Sequence, residues 1–227
     1  SPNVYLDITF KERTYLEARF PNIFKTCLGY GIDISKDLIP VAPAEHYCMG
    51  GIRSDVKGRT NIERFFTCGE SACTGIHGAN RLASNSILEG LVFGNLIGEQ
   101  VRALVNNKNK VKAPLNISYK TPREEKNFDR HAVKTDIQET MTKEVGIIRN
   151  GEGLKRALDN INAYKDTLAN IKNKDPEDYE LQNILLLSRL VVESALDRKE
   201  SRGAHYRSDF SKTDDENWKK HIIKVSK

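Results

Sequence analysis

Long hydrophobic runs are missing from this sequence of 227 residues. The longest apolar stretch lies near Ile87–Ile97, and it is interrupted by Glu89, Gly90, Gly94 and Asn95. A helix that spans a bilayer needs about 20 consecutive apolar residues, so this stretch is too short and too polar. The amino terminus also lacks the charged and then apolar pattern of a secretory signal. We therefore expect a cytoplasmic protein with no membrane span.

Cysteines are few, and they stand at Cys27, Cys48, Cys68 and Cys73. Only Cys68 and Cys73 are close together, whereas a four-cysteine zinc site uses two close pairs. We therefore expect no metal site. Because nothing indicates export, we expect buried or active-site-adjacent free thiols rather than disulfides.

An excess of one charge is nearly absent. The chain has 36 basic and 31 acidic residues, and they alternate, as in Lys11-Glu12-Arg13. This pattern is typical of a solvated surface and predicts no binding to nucleic acid. A hydrophobic content of 38% predicts an ordinary globular protein with a real core.

Several common motifs are also lacking. The sequence contains no G-x-G-x-x-G, no G-x4-G-K-[ST], no H-E-x-x-H and no G-x-S-x-G. Without either of the first two motifs, no segment of this chain would by itself hold a dinucleotide pyrophosphate.

What the sequence does have is an unusual segment, Pro43–Gly94, with eight of the 15 glycines. Within it we predict a short strand at Phe65–Cys68, a glycine- and serine-rich turn, and a helix from Ser84 to about Val105. The wide apolar face of this helix predicts that it is well buried. A strand, a small-residue loop and a helix N-terminus are a common setting for an anionic ligand, because the first N–H groups of a helix are free. Three residues at the helix start, Ser84–Ser86, leave more polar groups than capping needs.

Four side chains of this segment are candidates for chemistry. Arg81 stands just before the predicted helix. Its guanidinium could bind the carboxylate of a ligand, or it could have a structural role and donate hydrogen bonds to loop carbonyls. His46, in a glycine-lined bend, either reaches a ligand or bonds to the backbone of a buried turn. His77 is a weaker candidate, for which loop packing is an equal explanation. Glu70 follows the predicted strand and could accept hydrogen bonds from ligand hydroxyls.

The rest of the chain is predicted from its periodicity. Before the central segment we expect a strand at residues 3–8 and two short helices that end near Phe20 and Gly29. That strand has no earlier element to pair with, so we expect the chain to be a piece of a longer protein. After an exposed boundary at residues 106–110 we expect three helices. The first opens with a capping box at Thr135–Gln138 and closes at Gly151, and the others cover about 152–171 and 177–200.

Several long segments together resemble the L-aspartate oxidase and succinate dehydrogenase/fumarate reductase flavoprotein family, over nearly the whole chain. Within this family the LASNS run favours the L-aspartate oxidase branch, although the tail around Trp218 also resembles the dehydrogenases. The segments match the family in order and spacing: Tyr5–Ile8, Pro40–Ile52 (PVAPAEHYCMGGI), Gly58–Thr60, Cys68–Glu70, His77–Ser86 (HGANRLASNS) and Glu200–Phe210 (ESRGAHYRSDF).

This resemblance implies an α+β fragment, in which remnants of the FAD-binding (Rossmann-type) and capping domains precede a C-terminal three-helix bundle. Residues 1–47 would be the tail of the capping domain, 48–114 the C-terminal part of the FAD-binding domain, and 115–227 the C-terminal helical domain. The family's amino-terminal half, with its G-x-G-x-x-G and its proton-shuttling arginine, is not in the sequence. Non-covalent FAD binding would need that half, so we expect the chain alone to be inactive.

The resemblance also implies roles for the candidate residues. His46 and Arg81 would be the catalytic pair, binding the carboxylates of a C4 dicarboxylate, and His77 would join them in binding substrate. Glu70 would accept hydrogen bonds from FAD hydroxyls. The reaction would be oxidation of L-aspartate to iminoaspartate by hydride transfer to FAD, with oxygen or fumarate as acceptor, in NAD (quinolinate) biosynthesis. The flavin would lie at the start of the helix, against Asn85, Ser86 and Ile87.

The implied partners are L-aspartate, fumarate or succinate as ligands, and quinolinate synthase. Two alternatives stay open. One is the flavoprotein subunit of a succinate dehydrogenase or fumarate reductase. The other is a non-catalytic helical interaction module formed by residues 115–227.

Overall fold

The computed structural model describes residues 3–106, 129–166 and 175–225. The chain divides into two compact units, Ser1–Cys48 and Met49–Lys227, and each is described here by itself. Among the helices of the described ranges, none combines the length and the apolar character needed to cross a membrane.

The first unit is a small α+β structure. Strand β1 (Val4–Leu6) pairs antiparallel with β2 (Ile39–Val41), and helices α1 (Arg13–Arg19) and α2 (Pro21–Gly29) lie between them in sequence. The predicted strand and the predicted ends of both helices are confirmed. Burial of a large apolar side chain in a core stabilises the folded state by about 2–3 kcal/mol. The buried apolar side chains come from α1, α2 and the loop after α2, and they are Leu16, Phe24 and Ile34.

The second unit opens with a parallel pair of two-residue strands, β3 (Ile52–Arg53) and β4 (Ala72–Cys73). A single 3₁₀ turn at Gly69–Ser71 leads into β4. The strands approach closely because Gly51 precedes β3: a Cβ there would lie 2.4 Å from the Ser71 carbonyl oxygen. A larger residue at this position would therefore push the two strands apart.

The predicted strand at Phe65–Cys68 is wrong. In this segment Phe66 forms an isolated antiparallel bridge with Arg59. Just before the segment, Arg64 has a φ of +66°, in the left-handed region. The pairing consists of this bridge and two flanking hydrogen bonds, from the Thr60 amide to the Phe65 carbonyl and from the Thr67 amide to the Gly58 carbonyl, so it is too short to form a strand.

Helix α3 (Asn85–Asn106) begins and ends within one residue of the prediction. The predicted burial is wrong, because most apolar side chains of α3 are exposed, in its first half and also at Val101 and Leu104. The described elements of this unit cover the side of α3 that carries Glu89, which is the buried residue of this helix. The open side carries four apolar residues with exposures of 73, 59, 66 and 56%: Ile87, Leu88, Leu91 and Val92.

Three helices follow: α4 (Arg130–Val145), α5 (Gly151–Ala163) and α6 (Pro176–Asp197). They pack against one another pairwise. A short strand β5 (Ile148–Arg149) separates α4 from α5. All three helices contribute to the larger apolar cluster, which consists of Val145, Leu154, Ala157, Ile161, Val192 and Ala195.

The predicted start of the first of these helices is wrong. The Oδ1 atom of Asp129 accepts a hydrogen bond from the Ala132 amide at 3.0 Å, so Asp129 is the N-cap of α4. Thr135–Gln138, the predicted capping box, lies inside the helix. Gly151 likewise opens α5 instead of closing α4. The helix predicted at about 152–171 is too long, because α5 ends at Ala163 and Tyr164 is its C-cap. The boundary predicted at 106–110 lies outside the described residues, except for Asn106.

The carboxyl-terminal segment is held by strand β6 (Tyr206–Arg207), which pairs parallel with β5, and by the short helix α7 (Asp215–Trp218). Arg207 is 2% exposed, and its guanidinium donates to the Ala195 carbonyl at 2.7 Å and to the Asp209 carboxylate. This buried arginine attaches the segment to the end of α6.

Candidate functional site

The candidate site is the loop that joins β4 to α3. Gly75 and Gly78 have φ values of +86° and +57°, and Ser84 has a φ of +70°. Glycine adopts such values without strain, whereas Ser84 does so at some cost. The chain then enters α3 at Asn85, and the first N–H groups of the helix have no partner within it. The loop therefore places Arg81 a few residues before a helix N-terminus.

A buried carboxylate on α3 supports this loop. Glu89, on the second turn of α3, is 2% exposed. Its Oε1 accepts a hydrogen bond from the Thr74 hydroxyl, and its Oε2 lies 2.7 Å from His77 Nε2. Because Thr74 and His77 stand on the same loop, Glu89 ties the first half of that loop to the helix.

Sequence reasoning treated Glu89 only as an interruption in an apolar run. A carboxylate at a position surrounded by apolar residues is costly to bury without partners. That cost is the signal which could have identified Glu89, because it requires donors such as Thr74 and His77 nearby.

Arg81 is half-buried, and its Nη1 lies 3.4 Å from the Leu82 carbonyl oxygen. This contact is long for a hydrogen bond. Asn85 and Ser86 are half-buried, while Ile87 is exposed at the mouth of the helix. Arg81 and the start of α3 thus belong to one local structure.

Glu70 lies on the 3₁₀ turn Gly69–Ser71, and its side chain is exposed. This turn packs against α3. The structure therefore brings four of the predicted regions into one unit: Glu70, His77, Arg81 and the helix start Asn85–Ile87.

His46 belongs to the first unit, in the extended segment after β2, and its side chain is exposed. None of the four cysteines has the burial that was expected as one possibility, since Cys48 is exposed and the other three are half-buried. In the described part of the chain, no three His, Cys, Asp or Glu side chains group together to hold a metal ion.

Exposed apolar side chains lie at the start of α3. They belong to Ile87, Leu88 and Leu91. The helix N-terminus beside them favours negative charge.

Comparison with known proteins gives two family matches. A model described as FAD binding domain matches residues 1–87, and one described as fumarate reductase flavoprotein C-term matches residues 134–227. Together they cover both ends of the chain in the order that the sequence motifs indicated. FAD is the cofactor that this family binds.

Curated relatives agree with these models. The L-aspartate oxidase of Rhodospirillum rubrum is 42% identical over 207 residues, which cover 89% of this chain and 70% of the relative. The L-aspartate oxidase of Streptomyces coelicolor is 37% identical over 236 residues, which cover 97% of this chain and 40% of the relative. The chain thus spans about two fifths of the length of several relatives that it matches.

Solved structures show the same relationship. A variant of E. coli quinol fumarate reductase matches with a TM-score of 0.81 and 29% identity, covering 95% of this chain and 40% of that one. Mycobacterium smegmatis Sdh1 matches with a TM-score of 0.69 and 31% identity, covering 93% of this chain and 38% of that one. With a relative at 42% identity covered over most of its length, the chain belongs to the L-aspartate oxidase family, within the succinate dehydrogenase/fumarate reductase flavoproteins.

Proposed function

We propose that this chain is part of a flavoenzyme that oxidises L-aspartate to iminoaspartate. The observation that carries the proposal is the loop before α3, which presents Arg81 and leads into a helix N-terminus bordered by exposed apolar side chains. A guanidinium binds a carboxylate, and a helix N-terminus favours negative charge. The two features together suit a dicarboxylate beside a ring with an anionic edge. The relatives named L-aspartate oxidase support aspartate as the substrate.

In this proposal Arg81 and His46 bind the two carboxylates of the substrate. Arginine is suited to this role because its planar guanidinium can donate two parallel hydrogen bonds to one carboxylate. His77 is the third predicted substrate residue. Its Nε2 already pairs with Glu89, so a contact with substrate would use the rest of its ring.

The residues present fit FAD. When bound, FAD accepts a hydride and in its reduced form carries negative charge at one edge of its ring. Asn85, Ser86 and Ile87, at the helix N-terminus, would stabilise that charge by on the order of 1 kcal/mol. Glu70, exposed on the turn beside α3, would accept hydrogen bonds from the cofactor's hydroxyls.

We further propose that residues 1–227 alone do not bind FAD tightly and do not turn over. The sequence has no G-x-G-x-x-G, and the helix N-terminus of α3 by itself offers too few donors for a pyrophosphate. The missing donors would come from the part of the enzyme that its longer relatives contain.

The product and the electron acceptor complete the proposal. Oxygen or fumarate takes the electrons, and the iminoaspartate enters quinolinate synthesis on the route to NAD. Because an imine hydrolyses in water, a direct transfer to quinolinate synthase is part of this proposal.

A second candidate is the flavoprotein subunit of a succinate dehydrogenase or fumarate reductase. The solved structures described above support it, since they are a quinol fumarate reductase and Sdh1. The curated relatives favour the oxidase instead.

One assay separates the two candidates. The complete enzyme, loaded with FAD, is supplied with L-aspartate and oxygen, or with succinate and a redox dye. We expect hydrogen peroxide from aspartate and no dye reduction with succinate. The opposite result would establish the dehydrogenase. Failure of the complete protein to retain any flavin would favour a non-catalytic helical module.

A further inference from the structure

A tight turn in the carboxyl-terminal segment lies against the loop of the candidate site. Residues 202–205 form this turn, which we call the RGAH turn. The Arg202 amide donates to the His205 carbonyl at 2.8 Å, and the His205 amide donates to the Arg202 carbonyl at 3.0 Å. Gly203 has a φ of +56°, in the region that favours glycine.

The turn touches Ala79, two residues before Arg81. The Ala204 amide donates a hydrogen bond to the Ala79 carbonyl at 3.1 Å. A Cβ on Gly203 would lie 2.3 Å from the Ala79 carbonyl oxygen and 2.8 Å from the Ala79 Cβ. Glycine at position 203 is therefore required by the close approach as well as by its φ.

The RGAH turn is itself firmly anchored. Glu200, which is fully buried, accepts hydrogen bonds from the Arg202 guanidinium at 2.8 and 3.0 Å. The Arg202 guanidinium also reaches Asp215 at 2.6 Å. On the other side of the turn, His205 Nδ1 lies 3.1 Å from the guanidinium of Arg149. The turn is thus a fixed support, whereas the loop that it touches is exposed around Ala79.

We infer that the RGAH turn positions the loop that carries Arg81, so that Gly203 helps to set the affinity for the dicarboxylate. Glu89 holds the loop at Thr74 and His77, and the turn holds it at Ala79. Arg81 lies two residues after the second attachment, so a displacement there moves the guanidinium. This inference rests on the substrate-binding role proposed for Arg81, and Gly203 acts only through that residue.

The test uses Gly203→Ala in the complete FAD-loaded enzyme. A misplacement of about 1 Å can cost about a hundredfold, so we expect KM for aspartate to rise about tenfold or more, with a smaller change in kcat. The matched control is Gly31→Ala, because Gly31 has a φ of +78° and open space around it. It carries the same backbone strain without the clash, and we expect its KM to be unchanged.

A double-mutant cycle distinguishes positioning from general damage. If Gly203 acts through Arg81, then Gly203→Ala adds no further rise in KM in the Arg81→Leu background. Additive effects would overturn the inference. If Arg81→Leu alone leaves KM unchanged, the proposed role of Arg81 fails instead, so the two failures are distinguishable.

A readout independent of activity uses hydrogen exchange in the 227-residue chain. Gly203→Ala should speed amide exchange in residues 75–84 and leave exchange in α5 unchanged. Unchanged exchange in residues 75–84 would contradict the inference. Should Gly203→Ala fail to fold, Ala79→Gly in the exposed loop takes its place. It should loosen the loop and raise KM severalfold, again with no further rise in the Arg81→Leu background, and an unchanged KM would overturn the inference.

Discussion

At the scale of single residues, the loop before α3 combines a buried carboxylate with a half-buried guanidinium. Glu89 faces inward and is satisfied by the Thr74 hydroxyl and His77. The Arg81 guanidinium lies 3.4 Å from the Leu82 carbonyl oxygen, on the same loop. Glu89 therefore supports the loop from the helix, and Arg81 stands on the supported loop.

Arg81→Leu should weaken substrate binding in the complete enzyme. A hydrogen-bonded charge pair is worth about 1.5–3 kcal/mol, so KM for aspartate should rise about 10- to 100-fold. The flavin absorbance should stay, because Arg81 is not among the residues proposed to hold FAD. Steady-state kinetics and an absorbance spectrum check both points. Arg64→Leu, an exposed arginine in the same unit, is the control, and an unchanged KM in Arg81→Leu would refute the role.

Glu89→Leu should destabilise the 227-residue chain by about 2–3 kcal/mol, because buried donors lose their acceptor. Urea denaturation measures this loss. Glu99→Leu, at an exposed position on the same helix, should change the free energy of unfolding by no more than about 0.5 kcal/mol. Equal losses in the two variants would show that the pairing with Thr74 and His77 contributes nothing.

At the scale of elements, side-chain caps define where the carboxyl-terminal helices begin. Asp129, Asn150 and Asp175 each accept a hydrogen bond from a backbone amide of the helix that follows. These caps satisfy N–H groups that the helix itself leaves unpaired. Asp175 also pairs with Arg130 at 2.8 Å, which links the starts of α6 and α4.

Two substitutions test where α4 begins. Asp129→Ala removes the cap and should lower the free energy of unfolding by about 1 kcal/mol. Thr135→Ala, at the start that the capping-box pattern predicted, should have little effect, because Thr135 lies inside the helix and alanine is a better helix former. Thermal denaturation of both variants checks this. If Thr135→Ala lowered the free energy of unfolding more than Asp129→Ala, the helix would begin at the capping box instead.

For helix α3 the bounds were predicted correctly, whereas the predicted burial was wrong. Its bounds follow from local sequence, but Ile87 and Leu91 lie open at 73 and 66% exposure. The described elements of its own unit cover the other side. Under the proposed function, FAD and the rest of the enzyme would cover this apolar surface, and the burial that the sequence predicted would be completed there.

At the scale of the whole molecule, buried ion pairs tie the carboxyl-terminal segment to the helices. Burial raises the pKa of Glu200, but hydrogen bonds from Arg202, the Asp214 amide and Arg198 lower it by more, from about 4.5 to about 2. A hydrogen bond from Arg207 likewise lowers the pKa of Asp209 to about 2. Both carboxylates therefore favour the folded state most strongly when ionised.

This gives a pH dependence of stability with a definite sign. A carboxylate with a lowered pKa in the folded state stabilises it fully above the unfolded pKa, and the effect is lost as pH falls through the folded pKa. We expect the melting temperature of the chain to fall between about pH 4.5 and pH 2. Melting curves across this range measure it.

Glu200→Gln should melt below the unsubstituted chain at about pH 7, and the difference should narrow toward about pH 3, because the introduced glutamine does not titrate. Glu63→Gln is the control, since the Glu63 side chain is 88% exposed. Its melting curve should follow that of the unsubstituted chain at every pH. A difference for Glu200→Gln that stays constant with pH would mean that Glu200 does not stabilise the fold through its charge.

Much of the local structure could be predicted because it depends on near neighbours. The ends of α1 and α2, the start of α3 and the motif His77–Ser86 all follow from residues within one or two turns. The strand predicted at Phe65–Cys68 was wrong because this segment pairs only through one bridge and its two flanking hydrogen bonds. The start of α4 was wrong because the prediction used only the capping box that opens at Thr135, whereas Asp129 caps the helix six residues earlier.

The family, the class of the fold and the candidate residues can be inferred from motifs and periodicity, because these are properties of the chain read in order. Which of the candidate residues are supported, and by which partners, depends on how the elements pack. Glu89 reaches Thr74 and His77 across 15 and 12 residues. Gly203 meets Ala79 from the far end of the chain. Contacts of this kind form when separate elements pack, so the order of residues alone does not indicate them.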